Sequence, residues 1–293
     1  MKKFSGVGVA LVTPFKENGT VDETSLRSLV DYVIEGGVDY LVALGTTSEA
    51  ATLSVREREK VMDIVLEQNQ GRLPVVIGVG GNNTEQVLQD LSTLTYLKQG
   101  DAILSVTPYY NKPSQQGLYL HFKAIAEHAP LPVILYNVPG RTSVNMSAET
   151  TLRLARDFEN IIAIKEASGN FDQATEILRN KPNDFLFLSG DDGITLPLMS
   201  IGCSGVISVL ANVLPREFSS MVHLALEGEF EEAKDIHFRL AELCKALFEE
   251  GNPSGIKAAL HLQRIIDSNH MRSPLCGVSE VLEQKLVRLL ERF

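Results

Sequence analysis

The most constraining feature of this chain is a regular alternation of short apolar runs with longer amphipathic runs. The apolar runs are rich in Val and Ile and show no polar alternation, which is typical of strands buried on both faces. We predict eight strands, over residues 8–12, 40–44, 75–78, 102–106, 133–137, 161–165, 185–189 and 205–209. Eight strands, each followed by a helix at a repeat of about 25–35 residues, predict an α/β fold, namely a (β/α)8 TIM barrel.

The segments between the strands have helical spacing, and several begin at plausible N-caps such as Asp22 and Ser54. We predict helices over residues 23–35, 55–68, 84–98, 114–127, 148–158, 173–180 and 193–201. A doubly wound open sheet would give the same alternation. However, Gly78 and Gly80 supply only the beginning of a dinucleotide-binding fingerprint, because the later glycine is absent. The barrel is therefore favoured.

The pattern becomes purely helical from Pro215 onward. We predict helices there over residues 216–227, 229–249, 255–267 and 279–292. The first of them completes the barrel, and the others form a C-terminal helical extension. The predicted domains are therefore a catalytic barrel over residues 1–227 and the extension over residues 228–293.

The charge and the cysteine content narrow the class of protein. With 27 Lys and Arg against 37 Asp and Glu, the net charge of −10 argues against a nucleic-acid partner, since phosphate binding needs a basic face. Three scattered cysteines are too few for a disulfide framework and are typical of a reducing cytoplasm. The apolar run 7–12 is too short for a signal peptide, and no run approaches the ~18 residues of a membrane span. We expect a cytoplasmic protein with no membrane partner.

Catalytic groups of such a barrel lie at the C-terminal ends of its strands. Lys165 closes an apolar strand, where a low-dielectric mouth disfavours the ammonium and frees the amine to attack a carbonyl. The alternative is a lysine paired with a neighbouring carboxylate. Tyr136 ends the preceding strand and is either a proton shuttle or a wall residue. Arg141 follows it and either forks onto a substrate carboxylate or forms a surface ion pair.

Two further strand ends carry polar or aromatic groups. Thr46 and Thr47 follow Gly45, where hydroxyls and backbone N–H groups can hold an anion, although the same pattern occurs in an ordinary capped turn. The pair Tyr109 and Tyr110 is consistent with stacking at a subunit interface or with another proton-carrying hydroxyl. Together with Lys165, these groups predict an imine-forming lyase.

Other chemistries receive less support from the sequence. The six histidines lack HxH or HExxH spacing, so we predict no metal. Asp191 and Asp192 could bind a divalent ion, but adjacent aspartates at a strand end more often cap a helix. A non-catalytic barrel that senses an oxo acid is disfavoured because the amine and the candidate relay hydroxyls are all present.

The chain resembles the family of pyruvate-dependent class I aldolases that contains N-acetylneuraminate lyase and dihydrodipicolinate synthase. The resemblance is carried by residues 11–15, 106–113, 136–142, 164–170 and 205–212. It implies that Lys165 forms a Schiff base with pyruvate and that Thr46, Tyr136 and a neighbouring subunit's Tyr110 form a proton relay. It also implies that Thr47 and the backbone of Ile207 bind pyruvate and that Arg141 binds the carboxylate of the second substrate. No cofactor is implied, since the iminium serves as the electron sink.

Within that family the synthase members are the most similar. This implies condensation of pyruvate with L-aspartate 4-semialdehyde in lysine and diaminopimelate biosynthesis, by a homotetramer (a dimer of dimers) or a homodimer. The alternative is another aldolase of the family, similar to N-acetylneuraminate lyase. Ser48 replaces the second glycine of the family's GxxGE motif. A serine would be strained there if the position requires a positive φ, so we expect a slightly different local turn in which the anion cradle survives. The resemblance also implies an allosteric lysine site, which Asn82 and Tyr109 match but from which Val55, Arg58 and Gln86 depart. We therefore predict weak or absent feedback inhibition by lysine.

Overall fold

The computed structural model describes residues 2–293 and contains the predicted barrel. Eight parallel strands follow one another in chain order around a closed sheet, and β8 pairs with β1. The strands are β1 Gly6–Ala10, β2 Tyr40–Ala43, β3 Val75–Gly78, β4 Ala102–Val106, β5 Val133–Asn137, β6 Ile161–Glu166, β7 Leu186–Ser189 and β8 Gly205–Ser208. The predicted (β/α)8 architecture is therefore confirmed.

The first strand begins and ends two residues earlier than predicted. Its ladder with β2 ends at the pair Ala10 and Val42, because Leu44 then takes a left-handed φ of 57° and turns the chain away. Gly8 lies beneath the Tyr40 ring, where a Cβ atom would come within 2.1 Å of the ring carbon Cε2. Glycine at this position therefore lets a large aromatic side chain fill the floor of the barrel.

Helices cover the outside of the sheet. They are α1 Glu23–Glu35, α2 Val55–Asn69, α3 Thr84–Thr93, α4 Gln115–His128, α5 Pro139–Thr142, α6 Ala148–Asp157, α7 Phe171–Asn180, α8 Thr195–Met199, α9 Pro215–Glu227, α10 Phe230–Phe248, α11 Ser254–Leu262 and α12 Glu280–Leu290. The prediction of one helix over 84–98 was wrong: α3 ends at Thr93, and a 3-10 helix follows over Thr95–Gln99. The hydroxyls of Ser92 and Thr93 both donate to the Gln89 carbonyl, and such side-chain bonds compete with helix continuation. The predicted helix over 193–201 is also split, into a 3-10 helix Asp192–Ile194 and α8.

Two apolar layers hold the fold together. The inner layer fills the barrel with alternate strand side chains, among them Val42, Val76, Ile134 and Leu188. The outer layer lies between the strands and the helices and extends without interruption into the C-terminal helices. Of these, α10 packs against α9, α11 and α12. Asn252, between α10 and α11, donates to Thr47 Oγ1, so the C-terminal segment reaches the barrel mouth. The domain boundary at residues 227/228 stays a prediction.

None of the helices within residues 2–293 combines the length and the apolarity that a membrane crossing requires.

Candidate active site

Lys165 lies at the mouth end of β6, with its side chain directed into the barrel. It is 6% exposed, and its Nζ stands 4.3 Å from the centroid of the Tyr136 ring, with which it is paired in the β5–β6 register. Among the described residues, no hydrogen bond or ion pair engages this amine. The alternative of a lysine paired with a carboxylate was therefore wrong, and the geometry leaves a nucleophile candidate.

The neighbouring carboxylate is occupied by other partners. Glu166 points to the opposite face of the sheet, where it accepts hydrogen bonds from Asn137 Nδ2 at 3.0 Å, Gln173 Nε2 at 2.9 Å and Ser168 N at 2.7 Å. Because strand side chains alternate between faces, the sequence Lys165-Glu166 sends the amine inward and the carboxylate outward. This buried network fixes β6 on its outer face, and Glu166 forms no ion pair with Lys165.

Gly190 makes room for the lysine, a role that the sequence did not reveal. A Cβ atom at this position would lie 2.6 Å from Ala167 Cβ and 3.2 Å from Lys165 Cε. Because Gly190 has no side chain, the space beside the Lys165 side chain at the end of β7 stays open.

The Thr46–Ser48 segment forms a 3-10 turn at the end of β2. Thr47 is buried and Thr46 is exposed to the mouth. The expected strain at Ser48 was wrong, because the left-handed residues of this turn are Leu44 and Glu49, with φ values of 57° and 54°. Ser48 instead donates from Oγ to the Leu11 carbonyl at 2.6 Å, which ties the turn to the end of β1.

Arg141 and Thr47 are joined through a residue that sequence reasoning missed. Arg141 Nη2 donates to the backbone carbonyl of Asn252 at 3.1 Å, and Asn252 Nδ2 donates to Thr47 Oγ1 at 3.0 Å. Asn252 precedes α11 in the C-terminal segment, and its buried Oδ1 has no partner among the described residues. The sequence around Asn252 contains no recognisable motif, so its place at the barrel mouth became evident only from the fold.

A cavity with two lobes opens above these groups. The lobes have volumes of about 470 and 740 Å³, and both are lined by Thr47, Tyr136, Val138, Arg141, Lys165 and Asn252. The first lobe extends towards Tyr109 and Arg58, and the second towards Asp191, Lys245 and Lys285. The lining contains five basic residues (Arg58, Arg141, Lys165, Lys245 and Lys285) and four acidic ones (Glu49, Asp90, Asp191 and Glu249), and Lys285 is paired with Glu249. The lining is therefore slightly basic in a protein whose net charge is −10. Such a site suits small anionic ligands.

Three candidates lie at the margin of this cavity or outside it. Tyr110 is 88% exposed, has a left-handed φ of 74°, and lines neither lobe. Ile207 is buried in the barrel interior on β8. Asn82 donates from Nδ2 to the Tyr109 carbonyl at 3.1 Å, which links two loops at the rim of the first lobe.

Asp191 and Asp192 serve the local backbone. Asp191 Oδ1 accepts from Gly193 N at 2.9 Å as a cap, and Asp192 Oδ2 accepts from the N–H groups of Val209 and Leu210 at 3.0 and 2.8 Å. Burial raises the pKa of Asp192. These contacts fit the capping interpretation rather than a divalent-ion site.

Comparisons with known proteins find matches over nearly the whole chain. The model of the dihydrodipicolinate synthetase family matches residues 3–293. A 4-hydroxy-tetrahydrodipicolinate synthase of Parabacteroides distasonis is 53% identical over 288 residues, which cover 98% of this chain and 96% of the relative. The crystal structure of dihydrodipicolinate synthase from Aquifex aeolicus has a TM-score of 0.94 at 42% identity, covering 99% of this chain and 98% of that one. The chloride-inhibited enzyme from Acinetobacter baumannii, solved in complex with pyruvate, has a TM-score of 0.93 at 40% identity, with 98% of each chain covered.

Proposed function

The chain belongs to the dihydrodipicolinate synthetase family, and from this premise we propose that it condenses pyruvate with L-aspartate 4-semialdehyde to 4-hydroxy-tetrahydrodipicolinate. The observation that carries the chemistry is the buried, unpaired amine of Lys165 against the Tyr136 ring at the barrel mouth. The alternative of a lyase similar to N-acetylneuraminate lyase is not favoured, because relatives that match nearly the whole chain are synthases. The enzyme is a lyase that serves lysine and diaminopimelate biosynthesis.

The reaction begins at Lys165. Its neutral amine attacks the keto carbon of pyruvate, and loss of water gives an iminium ion. The iminium accepts the electron pair of the methyl C–H bond when that proton leaves, which gives an enamine. The enamine carbon then attacks the aldehyde and forms the C–C bond. Finally the substrate's amino group displaces the lysine amine, which closes the ring and frees Lys165 for the next cycle.

Proton transfer in these steps is assigned to Tyr136 and Thr46. Tyr136 lies against the reacting amine, and the Thr46 side chain is exposed to the mouth. We assign the third relay hydroxyl to Tyr110 of a neighbouring copy, because an 88% exposed tyrosine on a left-handed loop residue is available to a second chain. A homodimer, or a homotetramer built as a dimer of dimers, would complete the site. We propose a cytoplasmic location for this assembly.

The two substrate carboxylates are assigned to different sides of the cavity. Thr47 and the first backbone N–H groups of its turn are proposed to hold the pyruvate carboxylate, since the start of a helical turn leaves N–H groups without internal acceptors. The backbone of Ile207 is proposed to complete this subsite. Arg141 is proposed to bind the carboxylate of the semialdehyde, because its guanidinium lines both lobes.

Borohydride reduction in the presence of pyruvate tests the central step. We expect a pyruvate adduct on the peptide that contains Lys165, and none after Lys165→Ala. Lys257 is the matched control, because it is a second buried lysine whose amine is already ion-paired. An unmodified Lys165 would exclude the whole Schiff-base mechanism. Consumption of pyruvate with aspartate semialdehyde, set against N-acetylmannosamine, then distinguishes the synthase from the lyase.

A further inference from the structure

A buried ion pair lies directly behind the turn that carries Thr46 and Thr47. Glu49 and Lys257 form this pair, with both side chains 0% exposed. They are 208 positions apart in the sequence, so the pair joins the end of β2 to the C-terminal helix α11. Placing two charges out of water is costly, and burying this pair is a weak route to stability alone. Its position beneath a substrate-binding turn calls for another explanation.

Both members of the pair are anchored to further groups. Glu49 also accepts a hydrogen bond from the backbone N–H of Arg272 at 3.1 Å. Lys257 Nζ donates to the His270 carbonyl at 3.0 Å and stands 4.2 Å from the centroid of the Phe15 ring. The Arg272 guanidinium lies against the same ring at 4.4 Å. The carboxylate is therefore held from two sides by a rigid C-terminal cluster.

Glu49 has an uncommon backbone conformation. Its φ of 54° and ψ of 34° are left-handed, a region that residues with a Cβ atom adopt infrequently, and its buried carboxylate is fixed at the same time by Lys257 and Arg272. Glu49 N donates to the Thr46 carbonyl at 3.1 Å and closes the turn. A shift of Glu49 would therefore move the Thr46 and Thr47 groups with it.

We infer that the Glu49–Lys257 pair is a positioning device that holds the Thr46–Thr47 turn in the geometry that binds the pyruvate carboxylate. This inference rests on the proposed function of Lys165 and the turn. Asn252, just before α11, donates a hydrogen bond to Thr47. The C-terminal segment therefore contacts the turn at two points, through Asn252 at Thr47 and through Lys257 at Glu49. In this role neither Glu49 nor Lys257 contacts a reacting atom.

The test uses the neutral double variant Glu49→Gln/Lys257→Met. It removes both charges together and leaves no unpaired buried ion, but the His270 carbonyl loses the hydrogen bond from Lys257. We therefore expect an unfolding temperature below that of the unmodified chain but above that of either single variant. The readout is the pyruvate concentration that gives half-maximal borohydride labelling of Lys165. We expect it to rise about tenfold or more, since small displacements of positioning groups are costly. Labelling at saturating pyruvate is expected to change by less than about twofold.

A second variant, Glu49→Asp, keeps the charge and shortens the side chain by one methylene. The carboxylate can then reach Lys257 only if the turn moves, so we expect a similar rise in half-saturating pyruvate. The exposed pair Lys60–Glu23 provides the control, because Lys60→Met/Glu23→Gln removes an ion pair whose members line neither lobe of the cavity. Its half-saturating pyruvate is expected to match that of the unmodified chain.

The outcomes separate the inference from the proposed function. If pyruvate fails to label Lys165 in the unmodified chain, the proposed function is wrong and the inference is overturned with it. If the unmodified chain is labelled but both Glu49 variants reach half-maximal labelling at the same pyruvate concentration, the inference alone is overturned. If the double variant unfolds, the labelling of Glu49→Asp decides.

Discussion

Replacing Arg141 by alanine separates the binding of the second substrate from the capture of the first. The guanidinium lines both lobes of the cavity but holds only one hydrogen bond among the described residues, to the Asn252 carbonyl at 3.1 Å. Its remaining donors are free for a ligand carboxylate. Lys165 makes no hydrogen bond to Arg141, and Thr47 is linked to it only through Asn252, whose side chain still donates to Thr47 Oγ1 in this variant. We therefore expect Lys165 and Thr47 to keep their positions.

The size of the effect follows from the exposure of the side chain. A hydrogen bond to a charged group contributes about 1.5–3 kcal/mol. Arg141 is exposed at the mouth, so solvent screening places it in the lower part of that range, at about 1.5–2 kcal/mol. This corresponds to a decrease of roughly 10- to 30-fold in kcat/KM for the aldehyde.

The assay measures kcat/KM for aspartate semialdehyde at saturating pyruvate, together with pyruvate labelling of Lys165. We expect the first to fall and half-maximal labelling to stay within about twofold. Arg153→Ala is the control, because Arg153 is exposed on α6 over the Tyr119 ring and lines neither lobe. Equal losses for both substrates would show that Arg141 supports the site as a whole. An unchanged kcat/KM would refute its role in aldehyde binding.

Three further predictions address the turn, the barrel floor and regulation. Ser48→Gly should lower the free energy of unfolding by about 1–2 kcal/mol, because it removes the buried hydrogen bond to the Leu11 carbonyl. An equal or higher unfolding temperature would show instead that serine strains the turn at this position. The hydrogen bond that His223 Nε2 donates to the Asp39 carboxylate raises the pKa of His223. This pair therefore stabilises the fold below the ordinary histidine pKa of about 6.5, and the contribution is lost as the pH rises through the raised value. His223→Gln should therefore lower the unfolding temperature more at about pH 5.5 than at about pH 9. The corresponding difference in the free energy of unfolding should be less than about 1 kcal/mol, because both groups are partly exposed. L-lysine should inhibit weakly in a steady-state assay, since the cationic Arg58 lines the first lobe, and strong inhibition at submillimolar lysine would contradict this.

The strand pattern and the candidate nucleophile could be read directly from the sequence. Apolar runs without polar alternation report burial on both faces, and their count predicts a closed barrel whose strand ends meet at one mouth. Lys165 and Tyr136 each close such a run, so their proximity follows from topology alone. The structure places them in register on adjacent strands.

Only the tertiary structure decided how the mouth is held. Asn252 contacts Thr47 across 205 positions, and the Glu49–Lys257 pair spans 208, distances over which local periodicity carries no information. The same limit applies at Ser48, because local sequence did not indicate that Leu44 and Glu49 would take the left-handed conformations of this turn. Sequence periodicity determined which side chains face inward, whereas the partner of each buried polar group was determined by which distant segments pack against it.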